Sequence, residues 1–263
     1  MSTGEALRDA PAAPRWFTEL FAHRRWIRRT GPFPHVYARD VFVPDFYQRL
    51  AEEFERVSAQ QPAVFTPVSD EYSATGVQLN ALPKGPLALF LSREWHDLIA
   101  GVAGVATTGD VEASLHHNPP GSPTGWPHSD LSPAWFAGPP PGQDEVRTPD
   151  AAVDLKTGAR SSTVTARETV RAVAVLFYLA NPGWKAGDGG ETALYEHIAG
   201  VTPVPALTVP PLDNSMVLFE CTPRSWHTFV GNNAAARNSV VMWLHRPMSD
   251  VLRRWGGERI AQW

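Results

Sequence analysis

The sequence has a single cysteine, Cys221, and therefore cannot form an intramolecular disulfide. It has no apolar run near the roughly 18 residues that a helix needs to cross a bilayer, so we expect no membrane partner. It has no excess of positive charge either: the formal net charge is −4 at pH 7, which gives no electrostatic reason to expect nucleic acid. The first residues lack the basic stretch and apolar stretch of a secretory signal. We therefore expect a cytoplasmic protein.

Proline and glycine are abundant, with 25 Pro and 20 Gly in 263 residues. This composition argues against a helical bundle and favours short strands joined by elaborate loops. The hydrophobic share of 43% is that of a folded globular protein. No internal repeat is visible. We expect a flexible N-terminus over residues 1–15 and one domain over residues 16–263.

Two helices are predicted in the first half of the chain. The first follows Pro44, with Asp45 as its expected N-cap, and one apolar stripe is formed by Phe46, Leu50, Phe54 and Val57. The second begins near Ser92, which is also a candidate cap. The basic run over residues 23–29 is expected to be the solvated face of a further short helix.

Strands are predicted after about residue 110. They cover residues 111–115, 171–180, 191–195, 215–220 and 238–245, and most are bounded by Pro, Gly or Asn. Helices first and strands afterwards indicate a mainly β or α+β domain with an N-terminal helical layer. Strands spaced in this way close into a sandwich, a jelly roll or a barrel.

Residues 132–170 lie between the predicted strand at residues 111–115 and the predicted strand at residues 171–180. It is rich in Pro, Ala and polar residues. A connection of this length in a compact domain is commonly functional or disordered. It is predicted to be either a lid over a site or a surface insertion.

The segment GWPHSD contains two metal-ligand side chains, His128 and Asp130, spaced two residues apart. The triplet is weak evidence alone, but His227 lies at the end of a later apolar strand and Arg237 follows ten residues after it. Two His and one carboxylate on one face, with the other positions open, are typical of non-haem Fe(II) oxygenases. An arginine close by can bind a carboxylate bidentately. Zinc also accepts two His and one carboxylate, so a zinc hydrolase is an alternative.

Four blocks of the sequence resemble the prolyl 4-hydroxylase-like branch of the Fe(II)/2-oxoglutarate-dependent dioxygenases. GWPHSD resembles the His-x-Asp motif of that family, and the other blocks are RAVAVLFYLANPGW, GDGGETALYE, and NSMVLFECTPRSWH followed by ARNSVVMWLH. The similarity covers about residues 111–246. It departs from the family pattern at Asn118, because many relatives have a tyrosine ten residues before the first histidine. The resemblance implies a double-stranded β-helix, or cupin-like jelly roll, as the core.

The resemblance also implies roles for individual residues. His128, Asp130 and His227 would bind iron, and Arg237 and Tyr178 would bind the distal carboxylate of 2-oxoglutarate. Asn118 would line the same pocket. Residues that we expect to contact the substrate are His117, Trp126 and Arg171. For His117 the neighbour His116 is an alternative, because adjacent strand residues point to opposite faces and only one of the two can face the pocket. For Arg171 the alternative is that it caps the end of its strand.

The implied activity is hydroxylation of an unactivated C–H bond, coupled to decarboxylation of 2-oxoglutarate to succinate. The cofactor is Fe(II), the cosubstrates are 2-oxoglutarate and O2, and ascorbate is an optional reductant. Asp130 favours hydroxylation over halogenation, since related halogenases have a small residue in place of the acid. A small amino-acid-like or natural-product substrate is expected, and a prolyl or other side chain in a protein is the alternative. A β-sandwich binding module with a vestigial site is a further alternative.

Overall fold

The computed structural model describes residues 14–23, 25–69, 72–181, 183–200 and 203–261. Most of the N-terminus that is expected to be flexible, residues 1–13, lies outside the described residues, as does Arg24 of the basic run. Arg15 is described and begins a short helix. Within the described ranges, no helix combines the length and the apolar character that crossing a bilayer requires.

The α-helices lie mainly in the first part of the chain. They are α1 (Arg15–Thr18), α2 (Pro44–Gln60), α3 (Arg93–Ala103) and α4 (Met248–Trp255), with short 3₁₀ helices at Pro62–Val64, Leu79–Ala81, Pro86–Leu91 and Gly257–Arg259. The strands are β1 (Ile27–Arg29), β2 (His35–Ala38), β3 (Thr66–Ser69), β4 (Tyr72–Gln78), β5 (Val111–Asn118), β6 (Pro133–Ala137), β7 (Ala166–Tyr178), β8 (Thr192–Tyr195), β9 (Leu207–Val209), β10 (Ser215–Glu220), β11 (Trp226–Phe229) and β12 (Arg237–Pro247).

Both predicted helices are present, and their starts differ in how they are capped. α2 buries the predicted stripe, but its N-cap is Val43, and Pro44 is the first helical residue. Asp45 therefore lies in the first turn, where its charge interacts favourably with the helix dipole. α3 starts as predicted: the Ser92 hydroxyl accepts a hydrogen bond from the backbone N–H of Trp95 at 3.2 Å. In the basic run, residues 27–29 form strand β1, because they pair with β2.

The strands form two antiparallel sheets. The larger sheet has nine strands, in the order β1-β2-β10-β7-β12-β5-β4-β3, with β6 added beside β7, and the smaller sheet has the order β11-β8-β9. Strands far apart in sequence are neighbours in both sheets, as in a jelly roll. The fold class predicted from the sequence, a mainly β jelly-roll core with helices added before it, is confirmed.

Apolar side chains alternate between two cores on opposite faces of the larger sheet. One core lies on the helical side and contains Val240, Met242 and Leu244 of β12. The other lies between the two sheets and contains Val241 and Trp243 of the same strand. Because strand residues alternate in direction, the central strands β7, β10 and β12 contribute to both cores. We call the face towards the smaller sheet the inner face.

Residues 132–170 form a long β-hairpin and the loop that closes it. Strand β6 pairs with the first residues of β7, from Pro133 opposite Val170 to Ala137 opposite Ala166. Strand β7 therefore begins five residues before the predicted strand, whose first residue is Arg171. The loop is tied back to the domain, since the Asn80 side chain donates a hydrogen bond of 2.6 Å to the carbonyl oxygen of Pro149.

Candidate active site

Three potential metal ligands converge between the two sheets. The ligand atoms of His128, Asp130 and His227 all lie within 4.8 Å of one another. Two backbone hydrogen bonds join the segments, from His128 N–H to His227 C=O at 3.0 Å and from His227 N–H to His128 C=O at 2.9 Å. His128 and Asp130 are two residues apart and therefore share a side of their extended segment.

Each histidine of the cluster is oriented by a backbone carbonyl. The Nδ1 of His128 lies 2.9 Å from the Trp126 oxygen, and the Nδ1 of His227 lies 3.1 Å from the Ser225 oxygen. A carbonyl oxygen can only accept, so Nδ1–H donates and the Nε2 lone pair is left for a metal. The Nε2 of His227 is 3.4 Å from an oxygen of Asp130, and the Nε2 of His128 is 3.8 Å from the other oxygen. The donor set and its orientation fit Fe(II).

Electrostatics hold His128 and Asp130 in the protonation states that metal binding requires. Burial, reinforced by the nearby His227, lowers the pKa of His128 to about 4. Burial acts to raise the pKa of Asp130, but its interaction with His227, with contributions from His128 and Arg171, outweighs it and lowers that pKa. Near neutral pH, His128 is therefore neutral and Asp130 is ionised, which are the ligating forms.

Asp130 is supported by residues that the sequence did not identify as its partners. The indole N–H of Trp243 donates a hydrogen bond of 2.8 Å to Asp130 Oδ2. Arg171 Nη1 lies 3.7 Å from Asp130 Oδ1. The Arg171 guanidinium also stacks on Trp243, with its central carbon 3.7 Å from the ring centre, and forms an ion pair of 3.0 Å with Glu112. Such contacts fix the orientation of a ligating carboxylate. Glu112 was missed because a single Glu in an apolar strand pattern has no distinguishing feature.

The expectations for Arg171 need correction in this light. It lies inside β7 and not at a strand end, so the capping alternative is wrong. Its Nε and Nη2 are both directed at Glu112. The structure therefore places Arg171 between Glu112 and Asp130, and its contact with a substrate stays a prediction.

The expected cosubstrate residues meet at Arg237, the first residue of β12. Its guanidinium donates to three neutral oxygens: Asn118 Oδ1 at 3.4 Å, Ser239 Oγ at 3.2 Å and Thr192 Oγ1 at 3.3 Å. The Tyr178 hydroxyl lies 2.7 Å from the same Thr192 oxygen. The structure thus brings together Arg237, Asn118 and Tyr178.

Arg237 is a buried cation with no acidic partner in the part of the chain that the structure describes. The residue is 3% exposed, and its Nε has no hydrogen-bond partner there. A buried charge without a counter-ion is costly. Its environment therefore fits an anionic ligand such as the distal carboxylate of 2-oxoglutarate.

The other two expected substrate contacts, Trp126 and His117, lie in different places relative to the metal cluster. Trp126 is 38% exposed, and its ring centre is 6.0 Å from that of His128, so it borders the metal cluster at the surface. His117 is not brought to the site: its Nδ1 lies 2.7 Å from Asn238 Oδ1, and it alternates with His116 and Asn118, which belong to the inner face. This corrects the expected substrate contact by His117, because it is His116 that shares a face with the site.

Comparisons with known proteins agree with this geometry. The profile of the 2OG-Fe(II) oxygenase superfamily matches residues 160–245, a segment that includes Tyr178, His227 and Arg237. A Pseudomonas putida prolyl-4-hydroxylase has a similar structure, with a TM-score of 0.53, 19% identity, and coverage of 81% of this chain and 92% of that one. A Trichoplax adhaerens prolyl hydroxylase, solved with a hypoxia inducible factor peptide, has a TM-score of 0.52, 16% identity, and coverage of 80% and 82%.

At these identities the structural matches establish the shared fold, and no curated protein matches the sequence. The superfamily uses Fe(II) and 2-oxoglutarate, for which the His-Asp-His cluster and the buried Arg237 supply a suitable environment. The family profile over residues 160–245, the shared fold and the geometry of this site together make the chain similar to the 2OG-Fe(II) oxygenase superfamily.

Proposed function

We propose that this oxygenase hydroxylates an unactivated C–H bond of a small amino-acid-like or natural-product substrate, with conversion of 2-oxoglutarate to succinate. The observation that carries the proposal is the buried Arg237, which has only neutral hydrogen-bond partners among the described residues. It lies on the same face of β12 as Trp243, whose indole N–H donates to Asp130. A zinc hydrolase would have no use for this cation. A cosubstrate with one carboxylate for the arginine and another for the metal uses both features.

In this proposal each site residue has a defined task. The Nε2 atoms of His128 and His227 and a carboxylate oxygen of Asp130 hold Fe(II), which when bound supplies the dioxygen chemistry that couples oxidation of the substrate to decarboxylation of 2-oxoglutarate. Arg237 binds the distal carboxylate in the fork geometry that guanidinium groups favour. Asn118 and Thr192 hold the guanidinium in place by accepting its N–H groups.

The third protein ligand favours hydroxylation over halogenation. Asp130 is held on one oxygen by Trp243 and approached on the other by Arg171. Both groups keep the carboxylate directed at the cluster. A halide would need the position that this carboxylate takes.

The substrate enters, in our proposal, past Trp126. This indole is partly exposed beside His128, whose own side chain is 27% exposed. Aromatic side chains at a rim offer a flat apolar surface to a small ligand. A prolyl or other side chain of a protein is the second candidate, on the likeness in fold to two prolyl hydroxylases.

The first test is an anaerobic visible titration of the purified protein with Fe(II) and then 2-oxoglutarate. A weak charge-transfer band that is lost in Asp130→Ala is the expected result. Absence of the band together with tight zinc binding would contradict the oxygenase chemistry. Succinate release measured with a panel of amino acids and with prolyl peptides then separates the two substrate classes.

The cellular setting is also a proposal. Cys221 is free and buried, which fits a reducing, cytoplasmic compartment. The net charge of −4 makes a small molecule a more suitable partner than nucleic acid or a membrane surface. Fractionation of cells that express the protein tests the location.

A further inference from the structure

His116 lies on the face of the site, and the proposed mechanism gives it no task. It lies on the inner face of β5 and is 6% exposed. Among the described residues no hydrogen-bond partner is found for its ring nitrogens. Because these nitrogens do not belong to the fully buried, unpartnered polar atoms of the described residues, they remain accessible to a ligand.

The neighbouring strand leaves room for this ring. Gly76 on β4 is directly opposite His116. A Cβ at position 76 would lie 3.3 Å from His116 Cδ2 and 2.9 Å from the Leu115 carbonyl oxygen. A larger residue would therefore displace the imidazole or the backbone beneath it.

The strand register places His116 between the two halves of the site. On the inner face, Asn118 is opposite Arg237, His116 is opposite Ser239, and Glu112 is opposite Trp243. Successive inner-face residues of a strand are about 7 Å apart. Along the inner face of β5, His116 is the next residue after Asn118, which is paired with Arg237. It is two inner-face positions away from Glu112, which is paired with Trp243, the residue that donates to Asp130.

The two residues that flank His116 in the sheet, Ser239 and Asn118, both accept hydrogen bonds from Arg237. His116 is therefore close to where an anion bound by Arg237 would lie. Ser239, opposite His116, accepts a hydrogen bond from Arg237 Nη1. Asn118 is engaged at both ends, since its Oδ1 accepts from Arg237 and its Nδ2 donates to the Ser73 carbonyl at 3.1 Å. His116 is therefore the inner-face polar side chain of β5 nearest Arg237 that has no hydrogen bond of its own.

We propose that His116 is a further cosubstrate-contacting residue, whose ring N–H donates a hydrogen bond to the 2-oxoglutarate that spans the interval between Arg237 and the metal ligands. The inference rests on the proposed function. Burial, together with the positive charges of Arg237 and Arg171, lowers the pKa of His116 to about 3. The imidazole is then neutral near pH 7, with one donor and one acceptor nitrogen.

The test measures binding of 2-oxoglutarate by calorimetry in anaerobic, Mn(II)-loaded protein. His116→Ala should raise the Kd by roughly 10-fold to 100-fold, the size of one lost hydrogen bond to a charged group. His116→Gln restores a donor and should recover part of the loss. His117→Ala is the matched control, because it alters the adjacent histidine on the opposite face; its Kd should equal that of the wild type.

Separate measurements keep the outcomes distinct. Mn(II) affinity and the melting temperature should be unchanged in His116→Gln. An unchanged Kd for 2-oxoglutarate in both His116 variants would overturn the proposal, whether or not the KM of the oxidised substrate rises. Failure of the wild-type, metal-loaded protein to bind 2-oxoglutarate would instead refute the proposed function, and this inference with it.

Discussion

Replacing Arg237 by Met removes a buried positive charge and keeps most of the side-chain volume. In the ligand-free protein the guanidinium donates only to neutral oxygens among the described residues, at 3.2–3.4 Å, and lies over the rings of Tyr178 and Phe229. Exchanging a buried ion for an apolar side chain is commonly neutral or stabilising when no counter-ion is left behind. We therefore expect the melting temperature of the ligand-free Arg237→Met variant to equal or exceed that of the wild type.

The same substitution should abolish binding of 2-oxoglutarate at ordinary concentrations. Each hydrogen bond to a charged group contributes about 1.5–3 kcal/mol, so a two-point contact with the distal carboxylate contributes about 3 kcal/mol or more. Since 1.4 kcal/mol is tenfold in affinity, the Kd should rise by at least about 100-fold. The expected variant is thus stable but deficient in cosubstrate binding.

A thermal-shift assay in the presence of Mn(II) measures both effects. A ligand at 100 times its Kd stabilises a protein by about 2.7 kcal/mol, and about 2–4 °C per kcal/mol is usual for domains near this size. Saturating 2-oxoglutarate should therefore raise the melting temperature of the wild type by about 5–11 °C and leave that of the variant unchanged.

Arg246 on the same strand provides a contrasting control. It is fully buried but forms ion pairs with Glu220 at 2.8 Å and Asp250 at 3.4 Å. Arg246→Met should cost about 1.5–3 kcal/mol of stability, because it removes the buried charged hydrogen bond to Glu220, although Arg254 stays paired with that acid. The wild-type response to 2-oxoglutarate should persist. A marked loss of stability in Arg237→Met, with the 2-oxoglutarate shift retained, would refute the reasoning.

Three further predictions follow from the site. Trp243→Phe removes the 2.8 Å hydrogen bond to Asp130 and should weaken Fe(II) binding about 10-fold; equal iron affinity in a competition titration would contradict this. Trp126→Ala should raise the KM of the oxidised substrate and leave the Kd of 2-oxoglutarate unchanged, and a change in that Kd alone would argue against a rim position. Because the pKa of His116 is about 3 in the folded protein and about 6.5 in the unfolded chain, only the unfolded state takes up a proton between these values. Wild-type stability should therefore fall as pH decreases below 6.5, by about 1.4 kcal/mol per unit from this residue, and denaturant unfolding of His116→Gln should show a correspondingly shallower dependence.

Features with a local physical cause could be predicted from the sequence. The start of α3 follows from the Ser92 hydroxyl and the backbone donors that it can reach. The strand at residues 215–220 is bounded as predicted, since alternation and flanking turn residues determine it locally. The start of β7 could not be predicted, because it depends on pairing with β6, more than twenty residues earlier in the chain. Residues 27–29 of the basic run form strand β1 because they pair with β2.

The sequence by itself determined the class of the fold and, by residue type, order and spacing, the three candidate metal ligands His128, Asp130 and His227. The role of Arg237 came from the resemblance to a family. Only the tertiary structure decided which groups surround them. Whether His116 or His117 faces the site depends on the register of β5 against β12 and β4, and a shift of one residue would exchange them. The support of Asp130 by Trp243 and the isolation of the Arg237 charge likewise depend on strands distant in sequence, whose side chains meet only after the two sheets pack together.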